Sequence, residues 1–165
     1  MTRGQRSVSA WVGIGSNLND PEQQVQRAFV ALGELPDTQL RVQSSLYRTA
    51  PMGPQDQPDY INAVAEVATR LDAAALLAQL QAIETDAGRQ RGIKWGPRSL
   101  DLDLLTYGKE RINRPGLKVP HPGIGERNFV LLPLLSVAPE LEIPGLGPVH
   151  QLAADIDREG VVRLD

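Results

Sequence analysis

The stretch Arg89-Gln-Arg-Gly-Ile-Lys-Trp-Gly-Pro-Arg-Ser-Leu-Asp-Leu-Asp-Leu104 joins a basic half to an alternating half. In the alternating half, leucines alternate with Asp101 and Asp103. A period of two predicts a half-buried strand. Because residues i and i+2 of a strand point to one face, roughly 6–7 Å apart, we expect leucines in the core and both carboxylates side by side on the opposite face.

This pairing of carboxylates with cations has two interpretations. Oxygen ligands suit hard divalent cations such as Mg²⁺, and arginine binds phosphate oxygens bidentately. Four cations precede the aspartates: Arg89, Arg91, Lys94 and Arg98. One interpretation is a metal–nucleotide site. The other is a salt bridge between a basic loop and an acidic strand face.

The composition is typical of one globular domain over residues 1–165, with 41% hydrophobic and 22% charged residues. The net charge is −3, although residues 89–98 contribute four positive charges. A basic loop on an acidic body favours a focused anion site. General nucleic-acid binding needs a broad basic face instead.

Cysteine is absent from the sequence, which excludes disulfides and thiol chemistry. The sequence also shows no apolar leader and no apolar run of membrane-spanning length. We therefore expect a cytoplasmic protein without a membrane partner.

Hydrophobic periodicity predicts the order strand-helix-strand-strand-helix-strand. The strands are expected at residues 7–14, 39–47, 60–67 and 100–104. A hairpin around 107–119, a helix at 126–137 interrupted by Pro133, and a short helix and strand in the tail follow. This order predicts an α+β fold with a ferredoxin-like βαββαβ core, additional strands and helices, and a mainly antiparallel sheet flanked by helices. Many functions use this fold, so it does not identify the activity.

The predicted helix starts carry specific residues. Asp20 is expected to cap the first helix with Pro21 at its first position, and Asp72 is expected to cap the second. The Gly13-Ile-Gly15 segment before the first helix favours a tight turn over a dinucleotide fingerprint, since the third glycine of the fingerprint is missing.

The second helix is predicted to bury an apolar stripe. The stripe consists of Leu76, Leu80, Ile83 and Ala87. Gln81 and Glu84 are expected to lie off this stripe, and Gly88 is expected to end the helix.

Tyr60 and Asn62 share one face of a predicted strand. The tyrosine ring and the asparagine amide can stack on a heteroaromatic ring and bind its polar edge. The alternative is an ordinary tyrosine on a sheet face.

Five sequence motifs follow one another along the chain. They are Gly13-Ile-Gly-Ser-Asn17, Tyr47-Arg-Thr-Ala-Pro-Met-Gly-Pro-Gln-Asp-Gln-Pro-Asp-Tyr-Ile-Asn62, Arg89-Gln-Arg91, Trp95-Gly-Pro-Arg-Ser-Leu-Asp-Leu-Asp103 and Val119-Pro-His-Pro122. Over roughly residues 7–140 the chain closely resembles 6-hydroxymethyl-7,8-dihydropterin pyrophosphokinases of folate biosynthesis. The resemblance implies an enzyme that transfers a diphosphoryl group from ATP to the hydroxymethyl group of the reduced pterin and releases AMP.

The resemblance also implies roles for the organising stretch. Asp101 and Asp103 are expected to hold two Mg²⁺ ions that bridge the triphosphate. Arg89 and Arg98 are expected to clamp phosphates, while Arg91 and Trp95 lie on a moving catalytic loop that closes the site. ATP and the pterin are the expected partners, with no nucleic acid, and the protein is expected to be a monomer.

Two further sets of residues follow from the resemblance. The pterin is expected to lie between the rings of Tyr60 and Phe129, with Asn62 on its polar edge. The rest of the pterin set is Thr49, Met52, Trp95 and Arg127. The nucleotide set is Gln81, Glu84, Leu104, Lys118 and His121.

A few positions depart from the family pattern. Ala50 stands where a second proline is common, Lys94 where an arginine precedes the tryptophan, and Pro122 where some members have tyrosine. Gly116–Lys118 replaces an arginine-containing segment. These differences concern nucleotide affinity. The alternative function is a non-catalytic ferredoxin-like module that binds anions or nucleic acid, which leaves Asp101 and Asp103 unexplained.

Overall fold

The computed structural model describes residues 7–18, 20–50, 58–87 and 100–164. The strands are β1 (Val8–Ser16), β2 (Thr38–Gln43), β3 (Tyr47–Thr49), β4 (Tyr60–Thr69), β5 (Asp101–Tyr107), β6 (Ile112–Arg114), β7 (Leu117–Val119), β8 (Glu142–Ile143), β9 (Gly147–Pro148) and β10 (Val161–Arg163). The helices are α1 (Pro21–Gly33), α2 (Ala73–Asp86), α3 (Asn128–Val137) and α4 (Val149–Leu152).

The main sheet places β4 and β1 at its centre. Its strand order is β10-β3-β4-β1-β5, and β2 also pairs with β4. All pairings described in this sheet are antiparallel. Because β2 and β3 pair with successive parts of β4, they together form the single strand that the βαββαβ order requires. The predicted α+β, ferredoxin-like class with a mainly antiparallel sheet is confirmed.

The strand predicted at residues 39–47 is divided in two at Ser44. The Ser44 N–H donates to the Val64 carbonyl at 2.9 Å, and the Ser44 hydroxyl oxygen accepts from the Val64 N–H at 2.9 Å. The side chain thus replaces one backbone partner of the ladder. The chain can therefore leave β2 and rejoin β4 as β3 without leaving a buried polar group unpaired.

Both faces of the sheet are buried at its central strands β1 and β4. Helices α1 and α2 cover the face formed by Val12, Ala63 and Leu102. The opposite face, with Trp11 and Val64, packs against apolar side chains of α3, α4 and β8. Burial on both sides explains why β1 is apolar on both faces and not simply alternating.

The two predicted helix caps have different outcomes. Asp72 caps α2 as expected, since its Oδ1 accepts from the Ala75 N–H at 2.8 Å. Pro21 begins α1, but the predicted side-chain cap by Asp20 is wrong. Asp20 has a left-handed φ of 63°, and its backbone carbonyl accepts from the Gln24 N–H at 3.0 Å. This is the first intrahelical bond of α1, and the Asp20 carboxylate adds no cap to it.

The remaining elements lie close to their predicted positions, with differences in helix α3. The predicted hairpin is formed by β6 and β7. Helix α3 begins at Asn128, not at residue 126, and runs through Pro133 without the predicted interruption. Within the described ranges, no helix is both long and apolar enough to cross a membrane.

Candidate functional site

Three neighbouring strands supply one row of residues on the sheet face opposite α1 and α2. In β1, Gly15 pairs with Asn62 of β4 on one side and with Asp101 of β5 on the other. Gly13 likewise pairs with Val64 and Asp103. Since adjacent strands lie about 4.8 Å apart, the backbones of Asn62 and Asp101 are separated by roughly 10 Å. Neither glycine adds a side chain of its own to this interval.

This row forms the floor of a cavity of about 260 Å³. Its walls come from the end of β3, the start of β4, β5, the segment before α3, and the first turn of α3. The lining residues are Gly13, Ile14, Gly15, Thr49, Ala50, Tyr60, Asn62, Ala63, Asp101, Asp103, His121, Arg127, Phe129 and Val130. We call this space the first cavity. It brings together most of the predicted pterin set.

The tight turn predicted at Gly13–Gly15 is wrong, because both glycines lie inside β1. A Cβ atom added at Gly15 would lie 2.7 Å from Oδ1 of Asn62, far inside contact distance. At Gly13 the nearest atom would be a Leu105 methyl at 3.4 Å. Glycine inside a strand often marks a close approach of another group, and that signal was available in the sequence.

Asn62 and Thr49 form a buried polar pair at one end of the first cavity. The Asn62 Nδ2 atom donates to the Thr49 hydroxyl at 2.7 Å, and both residues are buried. The amide nitrogen has a second hydrogen, and Oδ1 is an acceptor. The bond to Thr49 fixes the amide plane, so a ligand in the cavity meets an amide of defined orientation.

Asp101 and Asp103 share the face that the alternation predicted, while Leu102 and Leu104 are buried in the core. The Asp103 carboxylate lies 3.9 Å from Nη1 of Arg127 and 4.0 Å from Nε2 of His121. Those distances exceed hydrogen-bond length. The Asp103 side chain is 44% exposed and therefore accessible from the cavity.

These two carboxylates fit a hard divalent cation. They are accessible oxygen donors on one strand face, and both line the first cavity. In the described part of the chain, no cluster of three or more His, Cys, Asp or Glu residues is placed to hold a metal ion. The fit is thus to a cation that takes its other ligands from substrate oxygens or water, as Mg²⁺ commonly does.

His121 is held in one tautomer by the backbone around it. The backbone N–H of His121 donates to the Leu105 carbonyl at 2.8 Å, and the ring Nδ1 accepts from the backbone N–H of Gly123 at 3.1 Å. Burial lowers the pKa of His121; Asp103 opposes this shift and Arg127 adds to it. The neutral ring therefore carries its hydrogen on Nε2, the atom that faces Asp103.

The Arg127 side chain lies between the Asp103 carboxylate on β5 and the ring of Phe129. Its guanidinium carbon lies 5.6 Å from the centre of the Phe129 ring, within the range of a cation–π contact. Its Nε would lie 2.6 Å from a Cβ added at Gly123. Glycine at position 123 therefore leaves the space that the Arg127 side chain occupies between Phe129 and Asp103.

A second cavity of about 300 Å³ opens beside the first. It is lined by Leu77, Leu102, Asp103, Leu104, Gly116, Leu117, Lys118, His121 and Pro122. Asp103 and His121 line both cavities. Of the predicted nucleotide set, Leu104, Lys118 and His121 meet here. Gln81 is exposed on α2 and is not among the lining residues.

The prediction that Glu84 lies off the buried stripe of α2 is wrong. Glu84 is only 5% exposed, and its Oε2 accepts from the Leu102 N–H at 2.8 Å. Leu102 stands between the two aspartates on β5, which is the edge strand of the sheet. An edge strand presents N–H groups without a strand partner. The carboxylate supplies that partner, which explains why a charged residue occupies a buried helix position.

Replacing Glu84 tests this role. Glu84→Leu leaves the Leu102 N–H without this acceptor, so we expect a loss of about 1–3 kcal/mol in the free energy of unfolding. Glu84→Gln keeps an acceptor oxygen and should lose clearly less. Urea unfolding gives both values. Gln81→Leu, on the exposed side of the same helix, is the control and should change stability by less than about 0.5 kcal/mol. Equal losses in the two Glu84 variants would contradict a role as acceptor.

Five predicted site residues lie outside the described residues. They are Met52, Arg89, Arg91, Trp95 and Arg98. The helix end predicted at Gly88 also lies there, and so does the proposed salt bridge from the basic loop. These expectations remain predictions.

Asn17 is a functional candidate to which the sequence assigned no role. It is fully buried, and its Nδ2 donates to the Pro58 carbonyl at 3.0 Å. Pro58 precedes β4, which begins at Tyr60. Asn17 thus connects the end of β1 to the segment that leads into β4, whose first residue, Tyr60, lines the first cavity. Its position in the Gly-Ser-Asn motif was the available signal.

The sequence matches a family model described as 7,8-dihydro-6-hydroxymethylpterin-pyrophosphokinase (HPPK) over residues 11–139. A Haemophilus influenzae protein named 2-amino-4-hydroxy-6-hydroxymethyldihydropteridine pyrophosphokinase is 41% identical over 96% of this chain and 99% of its own length. A Pseudomonas aeruginosa protein of the same name is 46% identical over 93% of this chain and 95% of its own length.

Solved structures agree in fold. A Plasmodium falciparum HPPK-DHPS crystal structure superposes with a TM-score of 0.72 at 13% identity, covering 93% of this chain. An HPPK-DHPS crystal structure in complex with substrates gives a TM-score of 0.74 at 14% identity, covering 96% of this chain. The chain spans about half of those longer chains, 47% and 48% respectively. At this identity the likeness establishes the fold.

Proposed function

The chain belongs to the 7,8-dihydro-6-hydroxymethylpterin-pyrophosphokinase family, a family of diphosphokinases, and we propose that it transfers diphosphate from ATP to the hydroxymethyl group of 6-hydroxymethyl-7,8-dihydropterin. The products are AMP and the pterin diphosphate. The observation that carries the proposal is the meeting of two cavities at Asp103 and His121. Two substrates that exchange a phosphoryl group need adjoining pockets with the charge-bearing groups between them.

The first cavity suits the pterin. Tyr60 and Phe129 line it, and a flat ring bound between them gains stacking contacts on both faces. Asn62 lies at the buried end, with its amide fixed by Thr49, and offers a donor and an acceptor to the polar edge of the ring. Arg127, Met52 and Trp95 complete the proposed pterin set. The hydroxymethyl group then points towards the aspartates.

The second cavity suits the nucleotide. Leu104, Leu117 and Leu77 give it an apolar lining for a base, and Lys118 gives it a cation. His121 is neutral and carries a hydrogen on Nε2, so it can donate a hydrogen bond to a phosphate oxygen without competing for a metal ion. The proposed roles of Gln81 and Glu84 are different. Gln81 remains a nucleotide candidate, and Glu84 acts through Leu102.

Asp101 and Asp103 would hold the magnesium ions. When bound, two Mg²⁺ ions would neutralise triphosphate charge and align the phosphates with the attacking hydroxyl. Among the chain's own side chains, Asn62 and Thr49 would orient the polar edge of the pterin, and His121 would donate its Nε2 hydrogen to a phosphate oxygen. Arg89 and Arg98 are proposed to stabilise charge on the departing AMP, and Arg91 and Trp95 to close the site.

We also propose that the chain works as one pyrophosphokinase domain over residues 1–165 and as a monomer. In the described part of the chain, both cavities are built from one main sheet and the elements packed on it. A role as a nucleic-acid module would leave Asp101 and Asp103 unexplained, because two carboxylates beside the phosphate path repel a polyanion when no cation lies between them.

The proposed function is tested by substrate-dependent turnover. ATP and Mg²⁺ are incubated with the protein in the presence and in the absence of 6-hydroxymethyl-7,8-dihydropterin, and ATP consumption is measured by chromatography. We expect consumption only with the pterin and its abolition by EDTA. Consumption that is independent of the pterin would contradict the proposal.

Gly15 and Gly13 provide a matched pair of variants. Gly15→Ala pushes its methyl group into Oδ1 of Asn62 at 2.7 Å, so the bond to Thr49 must distort. We expect the pterin Kd to rise by about tenfold, which corresponds to about 1.4 kcal/mol. Gly13→Ala meets only a flexible leucine methyl and should change the pterin Kd by less than threefold. Titration of pterin fluorescence measures both constants, and an equal effect of the two variants would contradict the role of Gly15.

A further inference from the structure

Residues 157–164, which we call the tail segment, contact both walls of the first cavity from outside. At one end, Nδ2 of Asn128 donates to the Asp157 carbonyl at 2.9 Å. At the other end, the Ala50 N–H donates to the Gly160 carbonyl at 3.3 Å. Asn128 is the first residue of α3 and precedes Phe129, whereas Ala50 follows Thr49. The tail segment therefore connects the aromatic wall to the Thr49 wall.

The chain between these two contacts is a tight turn. The Glu159 N–H donates to Oδ1 of Asp157 at 2.9 Å, and the Val161 N–H donates to the Arg158 carbonyl at 3.3 Å. Gly160 has a φ of +79°, a left-handed conformation that favours glycine. These local bonds preorder the connection, so its length is fixed by the turn and does not vary as in a flexible linker.

Beyond the turn, β10 pairs with β3 and covers its outer edge. The pairing runs from Val161 opposite Thr49 to Arg163 opposite Tyr47, and the Leu164 N–H donates to the Leu46 carbonyl at 3.0 Å. Hydrogen-bonded pairs alternate along an antiparallel ladder, which places Val162 and Arg48 in such a pair. Without β10, the three-residue strand β3 would be an uncovered edge.

Strand β3 carries Thr49, the hydrogen-bond partner of Asn62. We propose that the tail segment is a positioning element, which holds the Thr49 wall at a set distance from Phe129 and thereby sets the affinity for the pterin ring. The inference rests on the proposed function for the identity of that ligand. The family-model match ends at residue 139, so the tail segment lies outside it. The second cavity has no lining residue from β3 or α3, so nucleotide binding should not depend on the tail segment.

Two variants of the full chain release the tail segment at its two ends. Asn128→Asp is nearly isosteric, removes the donor to Asp157, and places a favourable negative charge in the first turn of α3. Val162→Pro removes a ladder N–H at a side chain that is 50% exposed. Val162→Thr keeps the N–H and the β-branched shape and is the matched control.

We expect Asn128→Asp and Val162→Pro to raise the KM for the pterin about fivefold to tenfold, with the KM for ATP changed by less than twofold. Val162→Thr should match the parent protein. Amide hydrogen exchange provides a readout that needs no turnover, and exchange at residues 47–50 should accelerate in both variants. If the parent protein shows no pterin-dependent turnover, the proposed function fails, while the exchange data still test the tail contacts.

Three results would overturn the proposal. One is faster exchange at residues 47–50 with an unchanged pterin KM. Another is an equal rise of the two KM values. The third is an unchanged exchange rate in both variants. If Val162→Pro fails to fold, Asn128→Asp alone decides between these results, because its substitution removes no backbone donor or acceptor of the sheet.

Discussion

Replacing either Asp101 or Asp103 with asparagine is expected to lower kcat by about a thousandfold, which corresponds to about 4 kcal/mol of transition-state stabilisation. Asparagine keeps the shape of the side chain and removes the charge that would hold a cation. Folding of the Asp103 variant should be preserved, because the Asp103 carboxylate lies 3.9 Å from Arg127 and 4.0 Å from the neutral His121 ring, and its side chain is 44% exposed. Such exposed pairs contribute only about 0–1 kcal/mol to stability.

The two aspartate variants should differ in a second property. Asp103 lines both cavities, whereas Asp101 lines the first only. We therefore expect Asp103→Asn to raise the KM for ATP as well, and Asp101→Asn to change it less. Initial rates over a grid of ATP and Mg²⁺ concentrations separate these effects from the loss of kcat.

Glu66→Gln is the control for charge removal. Glu66 lies on the same sheet face, at the far end of β4, where its Oε2 accepts from the Ser9 hydroxyl at 2.6 Å. Its replacement should change kcat by less than twofold. Near-normal turnover in either aspartate variant would contradict a metal site formed by these two carboxylates. A thousandfold loss of kcat in Glu66→Gln would show that the effect of charge removal is not specific to the site.

Phe129→Ala is expected to weaken pterin binding by about tenfold to a hundredfold, since stacking of a base on an aromatic side chain contributes about 1–3 kcal/mol. ATP binding should weaken by less than threefold, because Phe129 lines the first cavity and is not among the lining residues of the second. Calorimetric titration of each ligand gives the two Kd values.

Two further substitutions separate stacking from apolar burial. Phe129→Leu keeps an apolar side chain but removes the flat ring, so it should resemble Phe129→Ala in pterin affinity. Phe129→Tyr keeps the ring and the cation–π contact to Arg127, and should stay within about threefold of the parent protein. Restoration of affinity by leucine, or equal losses for pterin and ATP in Phe129→Ala, would contradict the aromatic stacking.

Patterns confined to one element predicted this fold well. The alternation around Asp101 and Asp103 placed two carboxylates on one face, and the structure confirms that placement. Asp72 caps its helix because capping depends only on the next three residues. The element order was sufficient for the ferredoxin-like class, since the βαββαβ connection leaves few alternatives.

Predictions failed where a distant partner changed the local preference. Glu84 is polar, yet it is buried because an edge-strand N–H from a different element needs an acceptor. Gly15 favours a turn locally, yet it lies in β1 because it pairs with strands on both sides, and the close approach of the Asn62 side chain explains why glycine occupies the position. The pairing of β10 with β3 joins residues more than a hundred positions apart, and no local pattern in either strand contains that information.

The sequence predicted which residues form the site better than it predicted how those residues are arranged in space. The resemblance gave the pterin set and the nucleotide set as two groups, and the described members of the pterin set line one cavity. That Asp103 and His121 line both cavities depends on how β5 and the segment before α3 pack together, which only the three-dimensional structure shows.

The most direct test of diphosphate transfer is phosphorus-31 NMR of the products formed from ATP, Mg²⁺ and 6-hydroxymethyl-7,8-dihydropterin. We predict AMP and a pterin product with two coupled phosphorus signals, in equal amounts. Attack on the β-phosphorus by the pterin hydroxyl produces this pair. The appearance of ADP with a singly phosphorylated pterin would contradict diphosphate transfer at this site.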